Sequence, residues 1–559
     1  MRPRWHWCLL GLLLVAEFLL FDVMTSQHHA WVYPRWNDQI QYLTEAYTSH
    51  EQARQNGLWA GLREATLNPA AQGTTHDIAA VLLFALAGPS RSAALSLNIL
   101  AFLAWQCATF IAWRRLSGRW TVAWCSAGLL LCLHVLVDVS QGSPVDFRLD
   151  WMACCAVGLV ASAGLMTDGL RHTGWTAAWG ATVGLAILTR FMTAAYFVTM
   201  FAILVMVLLC SLWSRAHRQH NLGRFWRLLL AGVVASAVCL PLLWRNREWV
   251  LNYYWIGHLT GPESAIRSPE FGLERSLVFV LHDSLWRMHL GPWFGWTAVG
   301  ALAVLGIGAF WCRRKTVDQR EPLPALLPAL WLWGLLFLIP MAVLTLHSQK
   351  SLHVESVLIP GILTLLLTAF AALDRRLMRA SSPWHRLPMF VALAVALVGS
   401  AHFASRLMRN PHSPEFVASA RKVNEIADRL HATSRAAGLT APRLGVDQIT
   451  DCLDGQIMRV ICYERQQEWM PFMMTLPTGI AEENDEQIWE RLRQSDFMLL
   501  TDDPGVQGFW PFDRQMRRLY PALKAWCDSN LRPVDKFHLF GRAMTLYQKP
   551  ALPTPTVQH

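Results

Sequence analysis

The chain has 559 residues, 53% of them hydrophobic and only 16% charged, with a mean hydropathy of +0.26. Soluble chains of this length carry about 25% charged residues, so an assembly of water-facing domains is excluded. The formal net charge of +10 does not mark a nucleic-acid partner. The cations cluster at Arg114, Arg115 and Arg119, at Arg215, Arg218, Arg224 and Arg227, at Arg313, Arg314, Lys315 and Arg320, and at Arg375, Arg376, Arg379 and Arg386. Each cluster ends an apolar run, as cytoplasmic loops of a polytopic protein do.

In chain order the apolar runs predict eleven spans, at 7–24, 93–113, 121–137, 150–166, 175–189, 192–213, 225–243, 293–311, 323–345, 354–373 and 387–404. Several are long enough for a helix to cross ~30 Å of hydrocarbon, and the 28 tryptophans suit belts at both interfaces. The first span lacks a small-x-small cleavage site and reads as an uncleaved anchor. Threading the basic loops inside gives a membrane domain over 1–404 and places 405–559 outside. That arrangement suits a bacterial inner (plasma) membrane.

The first outer loop, 25–90, is more than a linker. Ile40, Leu43, Ala46 and Tyr47 recur at helical spacing, predicting an amphipathic helix over 38–55 that lies on the membrane. The apolar stretch 77–87, preceded by His76, is too short to span. Asp38 opens the predicted surface helix, where a helix N-terminus favours a carboxylate. Capping alone explains such an Asp, and catalysis is the alternative reading. Asp38 and Tyr42, at i and i+4, share a face, so both are candidates for lining a cleft. Asp146, Arg148 and Asp150 crowd a short outer loop, with Asp150 placed to open a span. Arg190 and Glu17 lie in or near hydrocarbon, where a central charge costs ~2.5–3.5 kcal/mol and calls for a partner. A second large outer loop covers 244–291. Between the ninth and tenth spans, His347, Lys350 and His353 form a cationic patch able to hold phosphate. The alternative is a snorkelling lysine beside solvated histidines.

The tail reads as a small α/β domain. Helices are expected at 414–435 (entered through Ser413), 485–494 and 511–528, and strands at 443–447, 496–501, 534–540 and 542–548, the last two broken at Gly541. Asp447, Asp451, Asp454, Asp502 and Asp503 offer a metal site as one reading, and turn residues as the commoner one. No C-x-x-C or His-rich ligand pattern occurs around the 12 cysteines, so no structural zinc site is predicted. Cys452 and Cys462 lie in one polar domain, either bridged or as two buried thiols.

Five segments together resemble the C-type-fold integral-membrane glycosyltransferases, in particular bacterial relatives of the protein O-mannosyltransferases and the lipid A aminoarabinose transferases. Asp38-Gln39-x-x-Tyr42-x-x-x-Ala46 is similar to that family's Asp-Glu-x-x-Tyr-x-x-x-Ala. The others are His76-Asp77 before apolar residues, Phe147-Arg148-Leu149-Asp150 before a helix, Gly180-x-x-x-Gly184-Leu185-Ala186-Ile187-Leu188-Thr189-Arg190, and His347 to Pro360 through Lys350, His353 and Glu355. Two positions depart from the pattern: Gln39 replaces the second acid and Arg190 replaces a lysine. The first departure leaves Asp38 alone or partnered by Asp150, and weakens the case for a divalent metal, which needs several oxygen ligands.

The resemblance implies a polytopic α-helical protein of about eleven transmembrane helices with a small outer α/β domain. It implies transfer of a sugar from a polyprenyl-phosphate donor to a glycan, lipid or protein acceptor, with inversion. Asp38, with Asp150, would act on the acceptor nucleophile. Lys350, His347, His353 and Arg148 would bind the donor phosphate and stabilise it as it leaves, and Tyr42 and His76 would line the substrate cleft. No cofactor is fixed by the resemblance; a divalent metal stays open, without a ligand cluster to support it. The alternatives are a lipid-linked-sugar flippase, a polysaccharide polymerase or a non-catalytic relative.

Overall fold

The computed structural model describes residues 3–33, 37–67, 72–138, 142–213, 218–260, 271–313, 326–347, 350–379, 383–447, 455–466, 468–476, 482–502 and 511–552. The helices used below are α1 Pro3–Met24, α2 Asn37–Asn56, α3 Leu58–Ala65, α4 Thr75–Ala87, α5 Arg91–Ser117, α6 Trp120–Leu131, α7 Leu149–Met166, α8 Thr173–Thr189, α9 Thr193–Ser211 and α10 Arg218–Arg245. They continue with α11 Gly291–Arg313, α12 Leu327–Leu346, α13 Ile359–Arg379, α14 Leu387–Leu407, α15 Pro414–Ala436, α16 Gly455–Gln466, α17 Asp485–Leu492 and α18 Pro511–Asn530. The chain divides into two compact units. One comprises Met1–Met24, Ala65–Ala79 and Leu95–Arg409, the other Thr25–Glu64, Ala80–Ala94 and Asn410–His559.

The first unit is a helix bundle, and the protein is a multi-pass membrane protein. Among the described residues, nine helices are long and apolar enough to cross a membrane, against the eleven spans expected. The two differences have physical causes. The apolar run 121–137 is helical only over α6, whose 12 residues rise ~18 Å, well short of ~30 Å. Beyond it the backbone pairs elsewhere, with the N–H groups of His134 and Val135 donating to Leu290 and His289 carbonyls at 3.1 Å each. The run 175–189 is helix α8, whose 17 residues rise ~26 Å, the short end of what a crossing needs. The run at 293–311 instead belongs to a longer helical stretch, Leu273–Cys312.

Within the bundle, α7 is innermost, with 89% of its apolar window buried, as expected of a helix apolar on all sides. Small residues allow close crossings. A Cβ on Gly180 would lie 2.3 Å from the Ala231 carbonyl oxygen, and one on Gly184 2.7 Å from Val238 Cβ. The Gly180-x-x-x-Gly184 motif is therefore the seat of α10 on α8. The basic end of the bundle is tied by Arg119, whose Nε donates to Asp374 at 3.1 Å while Thr121 Oγ1 donates to the same carboxylate.

The second unit is built on a five-stranded mixed sheet. The strands are β1 Arg443–Val446, β2 Met473–Met474, β3 Phe497–Thr501, β4 Arg532–Leu539 and β5 Arg542–Gln548, in the order β2-β1-β3-β5-β4. β3 is buried at every residue, pairing parallel with β1 and antiparallel with β5. The β4–β5 hairpin turns through Phe540 and Gly541, both at positive φ, the requirement of a two-residue type I′ turn. Ser413 caps α15 as expected, its Oγ accepting from the Phe416 N–H at 3.2 Å. β2 and α16 lie where no element was expected.

Helix α2 forms at the expected place, but its apolar stripe is not laid on lipid. Ile40, Leu43, Ala46 and Tyr47 are all 0% exposed and α2 packs against α16. The interface carries its own polar centre. The Tyr33 hydroxyl donates to Glu464, as does Tyr47 at 2.5 Å, and the Tyr463 hydroxyl donates to Glu51 at 3.1 Å. Cys462 on α16 is a free, buried thiol directed at the Ala427 carbonyl. Cys452, its proposed disulfide partner, lies outside the described residues.

Candidate functional site

At one end of the helix bundle, several of the charged residues noted in the sequence converge on the start of α7. Asp150 is the second residue of that helix and buried, so its carboxylate meets the positive end of the helix dipole. It also accepts a hydrogen bond from Arg190 Nη1. Arg190 follows the last residue of α8 in extended conformation, and its side chain reaches the start of α7. Their side chains are 7% and 12% exposed, a guanidinium–carboxylate pair largely withdrawn from water. The position where a lysine was expected thus carries the fork-shaped cation suited to a buried carboxylate.

The loop before α7 is rigidly built. Arg148 Nε lies 3.3 Å from Asp146, which also accepts from the Gly142 N–H at 2.5 Å. Asn98 donates to the Pro144 and Asp146 carbonyls at 3.0 and 2.9 Å. Gly142 has φ +78, and a Cβ there would lie 2.9 Å from His353 Cβ, so glycine is needed both for conformation and for closeness. That contact sets the Asp146–Arg148 loop against His353.

Lys350, expected either to hold phosphate or to snorkel, is folded back on the end of α12. Its ammonium donates to the carbonyls of Leu344 at 3.0 Å, Thr345 at 2.8 Å and His347 at 2.6 Å. An ammonium has three donors, and all three close the C-terminal turn of α12, where cations are favoured. Burial lowers its pKa from the ordinary lysine range, with nearby Glu355 partly opposing the shift. His347 is the C-cap of that helix, and His347 and His353 are both half-buried.

Glu355, whose sequence position marked no role, is a member of the cluster. It is 2% exposed, bonded to Ser284 Oγ at 3.0 Å, and interacts electrostatically with Asp150 and Lys350. Ser356 Oγ reaches the Asp150 carbonyl at 3.5 Å, docking this segment on the start of α7. Tyr196 and Tyr254 lie in the field of Arg190, and burial raises the Tyr254 phenol above its usual range. The available signal for Glu355 was a lone acid at the start of an apolar run, where an ionisable group needs a partner.

His76 is wholly buried, its ring 3.9 Å from that of Phe147 at 44°. Burial pushes its pKa down to about 3, so the imidazole is neutral. Just before it, Thr74 N–H donates to the Leu188 carbonyl at 2.8 Å and Phe191 N–H to the Gln72 carbonyl at 2.7 Å, tying this segment to the end of α8. Asp38 and Tyr42 belong to the second unit, with Asp38 exposed in the first turn of α2 and Tyr42 buried one turn later. Gln39 is buried and accepts from Arg91 at 2.9 Å. A glutamine oxygen here meets a guanidinium where the resembled pattern has an acid. Among the described residues no group of three or more His, Cys, Asp or Glu could hold a metal ion.

The first unit thus gathers three buried carboxylates, two guanidinium groups, an ammonium and two phenols near helix ends. Such a constellation can hold an anionic group at a membrane interface and compensate charge there.

No family model matches the chain, and no curated protein sequence does. Solved structures do. The crystal structure of ArnT from Cupriavidus metallidurans in the apo state matches with a TM-score of 0.55 at 17% identity, over 96% of this chain and 97% of that one. The same protein bound to undecaprenyl phosphate matches with a TM-score of 0.53 at 15% identity, over 100% of both chains. Over its whole length the chain therefore has the fold of ArnT, the lipid A aminoarabinose transferase, a C-type membrane glycosyltransferase fold.

Proposed function

We propose that the protein is a glycosyltransferase that takes a sugar from a polyprenyl-phosphate-linked donor and delivers it to an acceptor at the membrane surface. The observation that carries this reading is the whole-length likeness to a transferase crystallised with undecaprenyl phosphate. The buried charged cluster around Asp150 supports it, because a lipid phosphate needs fixed cations at a helix-end interface.

In this reading an acceptor hydroxyl or amine attacks the anomeric carbon and forms the new glycosidic bond as the bond to phosphate oxygen breaks. The polyprenyl phosphate leaves, and the acceptor's proton passes to the Asp38 carboxylate. Asp38 is assigned this role because it is exposed and acidic at a helix start. Direct displacement inverts the anomeric centre, since a retaining route needs a second, closely placed nucleophilic carboxylate. Asp150 is assigned to orienting Arg190, which, with Arg148, His353 and His347, supplies positive charge for the departing phosphate. Lys350 joins them by releasing one of its helix carbonyls. His76 and Tyr42 are assigned to the walls of the cleft. We place the tail unit on the outer face of a bacterial inner membrane.

The test is incubation of the purified protein with labelled polyprenyl-phosphate sugars and a panel of lipid, glycan and peptide acceptors. Label appearing on an acceptor, with release of polyprenyl phosphate, supports transfer. Lipid moved across vesicles without transfer would instead identify a flippase.

A further inference from the structure

The second unit holds a cavity of about 300 Å³ lined by Arg435, Gly438, Thr440, Glu468, Trp469 and Met470 among others. None of these residues belongs to the cluster around Asp150 or to the first turn of α2. The cavity lies at the C-terminal end of α15, where Gly438, at φ +68, reverses the chain. The N–H of Leu439 returns to the Ser434 carbonyl at 2.9 Å and that of Gly438 to the Arg435 carbonyl at 3.0 Å, closing the helix end.

The walls are prearranged. The Glu468 carboxylate is fixed from two sides, with Arg435 Nη1 donating to one oxygen at 2.9 Å and His431 Nε2 lying 3.1 Å from the other. His431 is itself 9% exposed, so it acts as a backstop. The Trp469 indole is held by the Arg459 guanidinium, 5.4 Å from the ring centroid, and by the edge-on ring of Tyr463 at 5.3 Å and 84°. A flat apolar ring thus lies next to a paired carboxylate and guanidinium.

The chemistry selects the ligand class. Because Glu468 and Arg435 neutralise each other, the cavity offers no excess charge to a phosphate or a metal ion. It offers the remaining guanidinium donors and carboxylate lone pairs beside an aromatic face. A neutral sugar ring presents the complement, with C–H groups on one face and adjacent hydroxyls at its edge. About 300 Å³ is the lower end of small-ligand pockets, room for one ring with its neighbours outside. We propose that this cavity binds one neutral sugar residue of an oligosaccharide, so that the tail unit captures a glycan independently of the transfer reaction.

The experiment is direct binding of the full-length protein in lipid nanodiscs to an array of neutral and anionic oligosaccharides, with no donor lipid present. Glycoside detergents are avoided because their headgroups are themselves candidate ligands. Retention of at least one neutral glycan is expected, falling about tenfold or more in Trp469→Ala and in Glu468→Gln, a change of about 1.4 kcal/mol per tenfold. Trp469→Phe should retain most of the binding. Glu468→Gln changes a half-exposed side chain and guards against loss of fold in the alanine variant. Retention of no neutral glycan, retention of anionic glycans alone, or equal binding by wild type and both variants would overturn the proposal. Failure of the transfer assay would leave this measurement untouched, because no turnover is read.

Discussion

Asp38 and Lys350 illustrate how differently two candidate residues are built into the chain. Asp38 is exposed in the first turn of α2, and exposed substitutions usually change stability within about 0.5 kcal/mol. Asp38→Asn should leave the melting temperature nearly unchanged while lowering turnover by about 10²–10⁴, the range of a general base. Wild-type turnover of labelled donor by this variant would remove Asp38 from the reaction. Lys350 instead holds three carbonyls of the α12 terminus. Lys350→Ala should raise the apparent KM for donor about tenfold, roughly 1.4 kcal/mol. Lys350→Arg should recover only part, since a planar fork cannot copy three converging ammonium donors. An unchanged KM in the alanine variant would leave Lys350 as a helix cap and nothing more. Both residue types were visible in the sequence, but the engagement of the lysine was not, because it depends on the position of Lys350 relative to the end of α12.

At the scale of elements, the seam between α2 and α16 carries a titratable centre. Burial pushes the Glu464 carboxyl up to about 7 from its ordinary 4.5, although hydrogen bonds from Tyr33 and Tyr47 and the nearby Arg91 oppose the shift. Folding therefore favours the protonated acid, and the folded state binds more protons than the unfolded one between these values. The stability contributed is complete below about 4.5 and is lost as pH rises through about 7. Thermal unfolding followed across this window should show a downward slope with pH that flattens in Glu464→Gln. An identical slope in both proteins would assign it to other groups. A second element contact concerns Gly180, where an added Cβ would meet the Ala231 carbonyl at 2.3 Å. Gly180→Ala should separate α8 from α10 and lower stability by about 1–3 kcal/mol, as overpacking does. Thermal unfolding in detergent that matched the wild type would show that the helices shift without penalty.

On the scale of the whole molecule, the parity of the membrane crossings sets which side the tail faces. The nine helices of spanning length among the described residues and the eleven expected spans are both odd, so the two shorter helices α6 and α8 leave the tail on the same side if they act as a pair. We predict that a protease added outside intact spheroplasts cleaves the tail but not the basic loops near Arg114 and Arg375. Cleavage of the tail only after lysis would reverse the orientation and with it the side on which donor and acceptor meet.

The sequence by itself determined the membrane class, the positions of nearly all spanning helices, the α15 cap and most of the tail strands. These follow from properties local to the chain, since transfer free energy adds along a run and the positive φ of a turn is set by its own residues. It also displayed the candidate charges, including Asp150 and Arg190. Tertiary structure alone decided their partners. Asp150 and Arg190 are 40 residues apart, and nothing in either neighbourhood names the other. The stripe of Ile40, Leu43 and Tyr47 announced a helix with one apolar face, yet the hydrophobic effect is non-directional. Such a face is satisfied by lipid or by protein, and only the fold placed it against α16.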